Sequence, residues 1–221
     1  MLRIVLFDLD NTLYSDTVGM ERDILHRMNH FVARLLGLGV PEAAEMRRER
    51  ARRYGTTLEW LMTEHQFSDP EAWFTAVHPV GEESVIKHDP ALRLLLESID
   101  LPKVIFTNSP MEHAQRVLAK LGVSDLFERI YDIRYIALKG KPHADAITRV
   151  LSDCGTAPAE SLLIDDVPKN VRGFVEAGGH GLLFDEFGRY GEESIPTIHS
   201  LIELPGLLEA FKNEADQLSL F

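Results

Sequence analysis

The sequence predicts an α/β fold built on a parallel sheet, with a block of helices inserted after the first strand. Short apolar runs rich in β-branched residues recur along the chain, and such runs are typical of buried strands. Helical patterns separate most of these runs, and strands that alternate with helices form parallel sheets with right-handed crossovers. The stretch from 15 to 87 breaks the alternation, because it carries helical patterns and no evident strand.

Five apolar runs mark the predicted strands. The first, LRIVLF, ends abruptly in Asp-Leu-Asp-Asn-Thr, which indicates a buried strand that meets a turn. The runs are LRIVLF (2–7), KVIFTN (103–108), RIYDI (129–133), SLLIDD (161–166) and the weaker GLLF (181–184). Several of them stop at polar or acidic residues, so the predicted strand ends carry chemically useful side chains.

Capping signals predict the helices between these strands. Asp89 is a plausible N-cap with Pro90 at the first helical position, and Gly122 closes the next amphipathic stretch. Pro142 is predicted to open a third helix and Pro168 a fourth.

Residues 15–87 are predicted to be helical throughout. Apolar residues with helical period mark the first helix, Pro41 starts a second, and LEWLMTEH and DPEAWFTAVH indicate two more. We therefore predict two structural units, an α/β core of residues 1–14 and 88–221 and a helical cap of residues 15–87. The arginine-rich run MRRERARR (46–53) within this cap is expected to be a solvated helix face, and the alternative is that one of its arginines reaches a substrate.

Composition and charge argue against several classes of protein. The 221 residues are 45% hydrophobic and 26% charged, which is an ordinary globular balance. A net charge of -12 argues against binding of nucleic-acid polymers, which favours a basic surface. No apolar run approaches the length of a membrane span, and Asp8 comes too early for a signal-peptide core. The single cysteine, Cys154, cannot form an internal disulfide, so we expect a cytoplasmic protein with no membrane partner; the oligomeric state stays open.

Polar residues follow the predicted strands at the edge where parallel sheets bind ligands. They are Asp8, Asp10, Thr107, Asn108, Asp165 and Asp166, with Lys141 just before a helix-opening proline. Carboxylates can hold a hard divalent cation, and one of them could be a nucleophile. The hydroxyl and amide can hydrogen-bond an anion, and the lysine can neutralise its charge. The sequence therefore predicts a site for an anionic substrate at this edge.

Four motifs in this chain resemble those of the haloacid dehalogenase superfamily of phosphohydrolases. They are FDLDNTLY, FTNSP, the lysine of KGKP and IDDVPKN, in the superfamily's order. The resemblance covers essentially the whole chain, and it implies a Rossmann-like core with an inserted helical cap of the C1 type. A narrower likeness to the pyrimidine 5'-nucleotidase branch rests on NTLY, the YG-x-x-L run at 54–58, HAQRVLAKLGVSDLFE (113–128) and the DD-x-x-x-N ending.

This resemblance implies a mechanism for phosphoester hydrolysis. Asp8 would attack phosphorus and form an aspartyl-phosphate. Asp10 would protonate the departing alkoxide and then deprotonate water, a role that requires a raised pKa. Thr107 and the backbone around Asn108 would bind phosphoryl oxygens, and Lys141 would neutralise charge between the phosphate and Asp8.

The resemblance also implies a Mg²⁺ cofactor. The implied ligands are Asp8, the backbone carbonyl of Asp10 and Asp166. Asp165 is expected to act through a water or by supporting the other ligands. Thr12 is expected to hydrogen-bond within the first loop, and Asn170 to brace the metal loop.

We therefore expect a Mg²⁺-dependent hydrolase of a small phosphomonoester, with a pyrimidine nucleoside 5'-monophosphate as the favoured substrate. A phosphoglycolate or sugar-phosphate phosphatase, or a phosphomutase of the same fold, is the enzyme alternative. A non-catalytic phosphate-binding module is the alternative from another class, and it would be expected to lack Asp8, Asp10 or Lys141. A 2-haloacid dehalogenase fits poorly, because a carbon–halogen displacement needs no acid two residues after the nucleophile.

Selectivity for the leaving group is expected to come from residues 15–87. Members of the nucleotidase branch often carry glycine where this chain has Trp60, so Trp60 is a candidate specificity residue, although core packing is the usual role of a tryptophan at a helical position. His113 and His143 are expected to be capping or surface groups at helix starts.

Overall fold

A computed structural model describes residues 1–50, 53–191 and 195–218 of the chain. Within these ranges a single sheet of six parallel strands has the order β3-β2-β1-β4-β5-β6. The strands are β1 (Ile4–Phe7), β2 (Lys103–Phe106), β3 (Arg129–Tyr131), β4 (Ser161–Asp165), β5 (His180–Phe184) and β6 (Thr197–Ile198). The α/β fold with a Rossmann-like parallel sheet is therefore confirmed.

The first eight helices of the described residues follow the predicted order, and a ninth comes after them. They are α1 (Met20–Leu36), α2 (Val40–Arg50), α3 (Thr57–His65), α4 (Pro70–Val77), α5 (Pro90–Glu97), α6 (Met111–Leu121), α7 (Ala144–Asp153), α8 (Pro168–Glu176) and α9 (Leu204–Leu218). None of these helices is both long and apolar enough to cross a bilayer.

The central strand β1 sets the position of the site. Its four residues are buried, and its last residue, Phe7, is in register with Ile105 of β2 on one side and Ile164 of β4 on the other. The chain runs outward from β1 through β2 to β3 and then returns to β4 on the opposite side. This reversal of strand order creates the crevice in which α/β sheets bind ligands.

Helices α1 to α4 fill the stretch between β1 and α5, and the described residues of this stretch contain no strand. The helix α1 packs against both α2 and α4. Phe31 of α1 meets Trp73 of α4 edge to face at a centroid distance of 5.2 Å, and it meets Phe67 in the same way at 5.5 Å. These aromatic contacts hold α1 and α4 together, and their buried residues belong to the same hydrophobic cluster as those of the sheet.

Capping chemistry explains why the predicted helix boundaries hold. The carboxylate of Asp89 accepts from the backbone N–H groups of Ala91 and Leu92 at 3.0 and 2.9 Å. Gly122 ends α6 with φ +79°, a left-handed conformation that suits glycine. The helix expected at Pro142 begins two residues later, at Ala144.

Two elements were not predicted from the sequence. The strand β6 has only two residues, too few for a recognisable alternation. The helix α9 follows it, and Leu204 and Leu208 of this helix are buried in the core.

Candidate active site

A fully buried lysine joins two strand ends at the crevice. Lys141 Nζ donates to Asp8 Oδ1 at 2.8 Å and to Asp165 Oδ2 at 2.6 Å. Asp8 directly follows β1 and Asp165 ends β4, so this ion pair spans the point at which the strand order reverses. Because a buried cation is costly unless it is paired, the two carboxylates account for the position of Lys141.

The backbone of Lys141 is held by Asn108, which follows β2. Asn108 Oδ1 accepts from the Lys141 backbone N–H at 2.8 Å, and Asn108 Nδ2 donates to the Lys141 carbonyl at 3.1 Å. A Cβ on the neighbouring Gly140 would lie 2.1 Å from Asn108 Oδ1, so only glycine permits this approach. The side-chain amide of Asn108 is thus engaged in placing Lys141.

Three carboxylates face one another at this edge. Asp8, Asp165 and Asp166 each offer an oxygen within 4.8 Å of the others. Asp165 is fully engaged, since it accepts from Lys141, from the backbone N–H of Val167 at 2.9 Å and from Asn170 Nδ2 at 3.0 and 3.1 Å. Asp166 has much weaker contacts, because the one side-chain hydrogen bond that it accepts from the described residues, from Asn11 Nδ2, spans 3.5 Å. Asp166 is therefore the better placed of the pair to bind a cation directly.

The pKa values of two of these carboxyls lie above their usual range. Burial is the main cause for Asp8; Lys141 opposes it, and the charges of Asp165 and Asp10 add to it. Burial also raises the pKa of Asp166, with further repulsion from Asp165 and Asp8. A divalent cation would relieve this repulsion, and carboxylate oxygens are the ligands that Mg²⁺ prefers. The residues present therefore fit a Mg²⁺ site.

Asp10 is held by three side chains that sequence reasoning did not assign to the site. Tyr14 Oη donates to Asp10 Oδ1 at 2.5 Å, and Ser109 Oγ donates to Asp10 Oδ2 at 2.6 Å. His113 Nε2 lies 2.7 Å from Asp10 Oδ1. These contacts come from the first loop, from the turn after β2 and from α6, so they fix the orientation of the Asp10 carboxylate.

The expectation that His113 is a capping or surface group was wrong. Its side chain is fully buried, and its Nδ1 lies 2.6 Å from Glu82 Oε1. Burial alone would lower the pKa of His113, but Asp10 and Glu82 together raise it to about 10. A weak signal existed in the sequence: His113 lies four residues before Val117, on the apolar stripe of α6.

Glu82 connects His113 to α1. Its carboxylate accepts from Arg27 Nη2 and contacts His78 Nδ1 at 3.2 Å and Arg116 Nη2 at 3.4 Å. Burial alone would raise the pKa of Glu82, but the bonds with His113 and His78 lower it to about 2. Glu82 is therefore a charged partner that keeps His113 protonated.

The structure also changes the expectation for the pKa of Asp10. Burial alone would raise this pKa, but the charge and hydrogen bond of His113, helped by Ser109 and Tyr14, hold it below its usual range. Asp10 is therefore ionised at rest, the form suited to accept a proton. Asp10 and His113 titrate as a coupled pair, so any proton that Asp10 donates has to come from His113.

Two threonines lie close to these groups. Thr107 is buried, and its Oγ1 accepts from the Ser109 backbone N–H at 3.0 Å, which leaves its hydroxyl proton available. Thr12 was expected to hydrogen-bond within the first loop, and its backbone N–H does donate to the Leu9 carbonyl at 3.4 Å, whereas its buried Oγ1 has no partner among the described residues.

A cavity of about 340 Å³ opens beside Asp10, Asn108 and Ser109. Helices α1, α2 and α4 and residues 55–58 line one part of it, and residues of the core, among them Ile133, Val167 and Lys169, line the rest. Its volume lies in the range of small-molecule sites, and its position gives a bound molecule access to the carboxylate edge.

The candidate role of Trp60 in specificity does not agree with this cavity. Trp60 is fully buried and does not line it; its indole N–H donates to Glu64 at 2.9 Å. The tryptophan on the cavity wall is Trp73. In α3, the cavity is lined instead by Thr57 and Leu58, which lie before Trp60.

Trp60→Phe is therefore expected to affect stability and not selectivity. Loss of the indole hydrogen bond and of ring volume should lower the free energy of unfolding by about 1–2 kcal/mol. Urea denaturation measures this loss. The ratio of kcat/KM between any two phosphomonoesters should stay within about twofold of wild type, and a larger change would show that Trp60 contacts the leaving group.

Comparisons with known proteins agree with this geometry. Residues 2–178 match the family model of haloacid dehalogenase-like hydrolases. "Phosphate metabolism protein 8" of Saccharomyces cerevisiae is 27% identical over 211 residues, covering 88% of this chain. The chain spans only 65% of the length of that yeast protein.

Two further proteins are similar over most of their length. "Phosphoglycolate phosphatase" of Yersinia pestis is 25% identical over 209 residues, 90% of this chain and 87% of that protein. The crystal structure of a HAD phosphatase from Thermococcus onnurineus superposes with a TM-score of 0.65 at 20% identity, covering 94% of this chain and 98% of that one. With the family match over residues 2–178, the chain belongs to the haloacid dehalogenase-like hydrolases.

Proposed function

We propose that this protein is a Mg²⁺-dependent phosphomonoester hydrolase that acts through an aspartyl-phosphate, with a pyrimidine nucleoside 5'-monophosphate as its preferred substrate. The observation that carries the proposal is the lysine bridge at the crevice, where Lys141 Nζ holds Asp8 and Asp165 beside Asp166. A carboxylate suited to attack phosphorus, a cation and carboxylates suited to hold a metal lie close together there, and this supports the proposal. The relative from Yersinia pestis, named a phosphatase, is consistent with this reaction class.

Phosphoryl transfer would proceed in two displacements. In the first, an oxygen of Asp8 bonds to phosphorus and the ester P–O bond breaks, while Asp10, which is ionised at rest, passes a proton from protonated His113 to the departing alkoxide. In the second, water bonds to phosphorus, Asp10 takes a proton from it, and the bond between phosphorus and Asp8 breaks. Asp10 can pass this proton back to His113, so both residues regain their resting protonation states when phosphate leaves.

The surrounding residues prepare these groups. Lys141 keeps Asp8 in place and offsets phosphate charge, and the Thr107 hydroxyl together with the backbone N–H of Asn108 would hold phosphoryl oxygens. Asp8, Asp166 and the carbonyl of Asp10 would bind Mg²⁺, with Asp165 bracing them through Lys141 and Asn170. When bound, Mg²⁺ would neutralise charge on the phosphoryl oxygens.

The helices of residues 15–87 would act as a cap over a core of residues 1–14 and 88–221. Core groups handle the phosphoryl transfer and cannot distinguish leaving groups, so selectivity would come from the cavity wall that α1, α2 and α4 supply. Apolar side chains of α1 and the rings of Trp73 and Phe74 suit a planar ring. A cavity of about 340 Å³ also limits the size of that ring.

A screen of phosphate release tests the reaction and the substrate class together. We expect uridine and cytidine monophosphates to have higher kcat/KM than adenosine and guanosine monophosphates. Equal rates for purine and pyrimidine substrates would reject the nucleotide preference and leave the phosphatase reaction standing. Failure to release phosphate from any monoester, including p-nitrophenyl phosphate, would reject the reaction itself and favour a phosphate-binding module.

Metal dependence is a separate prediction. Activity should disappear on chelation and return with Mg²⁺, whereas Ca²⁺ should support at least about tenfold less, because it accepts more and looser ligands and can bind a carboxylate bidentately. Steady-state rates on p-nitrophenyl phosphate after dialysis against chelator measure this. Equal rates with the two ions would contradict a role for Asp8 as both ligand and nucleophile.

A further inference from the structure

Arg47 of α2 is a buried guanidinium on the wall of the cavity. Its Nε donates to Asn29 Oδ1 at 2.8 Å, and its Nη1 contacts the Met28 sulfur at 3.9 Å. Neither partner is charged, and no carboxylate of the described residues forms an ion pair with Arg47. Burial accordingly lowers the pKa of the guanidinium, although an arginine stays protonated. The nearby carboxyl of Glu21 partly offsets this charge without forming an ion pair with it. A buried, fixed guanidinium that faces a cavity in this way indicates a hydrogen-bond acceptor on the bound molecule.

This arrangement differs from the solvated helix face expected for the arginine-rich run. Other arginines of that run do have carboxylate partners: Arg50 pairs with Glu64 at 3.5 Å and Arg53 with Glu49 at 3.9 Å. Lys169, a second cation on the cavity wall, donates to the carbonyls of Tyr54 and Gly55. The guanidinium of Arg47 therefore presents charged N–H donors at the cavity wall, and protein acceptors do not use all of them.

A carboxyl group lies on the same wall. Glu21, in the first turn of α1, lines the cavity, and its side chain makes no hydrogen bond among the described residues. Burial raises the pKa of Glu21 to about 7, helped by Asp10 and Asp16 and opposed by Arg47. In either protonation state this carboxyl presents an acceptor oxygen. The wall thus combines a donor fork from Arg47 with an acceptor from Glu21.

We propose that Arg47 and Glu21 together read the base of a pyrimidine nucleotide, Arg47 donating to a ring carbonyl or ring nitrogen and Glu21 accepting from an adjacent N–H. This inference rests on the proposed function, because it concerns the leaving group of the same site. Uracil and cytosine each carry an acceptor beside a donor on one edge, which matches this pair. A leaving group that ends in a carboxylate would suit Arg47 but would be repelled by Glu21. The pair therefore favours a nucleotide over phosphoglycolate.

Two substitutions test the pair through substrate selectivity. Arg47→Met keeps apolar packing and removes the fork, and it should lower kcat/KM for uridine monophosphate by about 10- to 100-fold. Turnover of p-nitrophenyl phosphate, which lacks a matching edge, should stay within about threefold. Glu21→Gln should raise kcat/KM for phosphoglycolate relative to uridine monophosphate by roughly tenfold, because the repelling charge is gone. Arg48→Met, on the exposed side of the same helix, is the matched control. It should change neither kcat/KM for uridine monophosphate nor the ratio of kcat/KM between phosphoglycolate and uridine monophosphate.

Binding to an inactive protein separates failure of this inference from failure of the proposed function. Asp8→Asn and Asp8→Asn/Arg47→Met are titrated with uridine monophosphate in a calorimeter, and the second should bind about 10- to 100-fold more weakly. Equal affinities of the two proteins for uridine monophosphate would overturn the inference, as would a loss of kcat/KM in Arg47→Met that is the same for every substrate. Phosphate release by the wild-type protein would still support the proposed reaction in either case. Should Arg47→Met not fold, Arg47→Lys, which keeps the charge without the fork, and Glu21→Gln decide the question by the same ratios.

Discussion

Asp8→Asn is expected to lower turnover by at least about 10³-fold on every phosphomonoester, because both displacements pass through this carboxylate. The amide has nearly the same shape but cannot form the phosphorylated intermediate. Steady-state kcat on uridine monophosphate and on p-nitrophenyl phosphate measures the loss. Asp100→Asn, an exposed aspartate just before β2 and so at the opposite end of that strand from Thr107, serves as the control and should retain full activity.

The same substitution should leave the fold intact. The pKa of Asp8 is raised by burial, so its ionised form lowers stability in the absence of a cation. The folded protein binds a proton at Asp8 more tightly than the unfolded chain does. The contribution of Asp8 to the free energy of unfolding therefore falls as pH rises from its unfolded pKa through its folded pKa. At neutral pH without divalent metal, we therefore expect Asp8→Asn to melt no lower than wild type. Thermal denaturation monitored by circular dichroism checks this.

Trapping the intermediate gives the decisive observation for Asp8. Wild-type protein mixed with substrate, quenched in acid and digested should carry phosphate on the peptide that contains Asp8. Phosphate on a different residue, or near wild-type turnover in Asp8→Asn, would contradict the mechanism.

His113→Gln is expected to lower kcat/KM by about 10²-fold for a substrate with an alkoxide leaving group. Glutamine can still offer a neutral N–H to Asp10, but it cannot supply a proton to it. His113 Nε2 and Nδ1 lie 2.7 and 2.6 Å from carboxylate oxygens of Asp10 and Glu82, so both nitrogens act as donors and the imidazole is protonated. Asp10 would take that proton when the alkoxide departs.

The leaving group distinguishes proton supply from a purely structural role. Because p-nitrophenolate departs without protonation, its kcat/KM should fall by no more than about threefold in His113→Gln. An equal loss of kcat/KM on the alkyl and aryl substrates would show that His113 only supports the fold. His30→Gln, an exposed histidine of α1, is the control and should behave as wild type on both.

The fold could be predicted largely from local patterns. The apolar runs that end in polar residues located five of the strands, and the caps Asp89 and Gly122 located helix boundaries, because these signals act within a few residues of the chain. The two-residue strand β6 escaped prediction, since its pairing with β5 depends on the sheet that precedes it.

The candidate site could be predicted only in part. Asp8, Asp10, Asp165, Asp166 and Lys141 were located because strand ends and a motif order identify them in the sequence. The structure places Asp8, Lys141 and Asp165 in direct contact. It places Asp10 in a different network, with Ser109 and His113.

By itself, the sequence determined the α/β class, the position of the inserted helices and the residues that follow the strands. Only the tertiary structure decided that His113 meets Asp10 across 103 positions of the chain, that Trp60 is core, and that Arg47 faces the cavity. The physical reason is that a helical pattern sets which residues share a face, whereas packing sets what that face meets. The helix α2 has charged residues on most of its sides and little apolar stripe to orient it, so the burial of Arg47 follows from its contacts with α1.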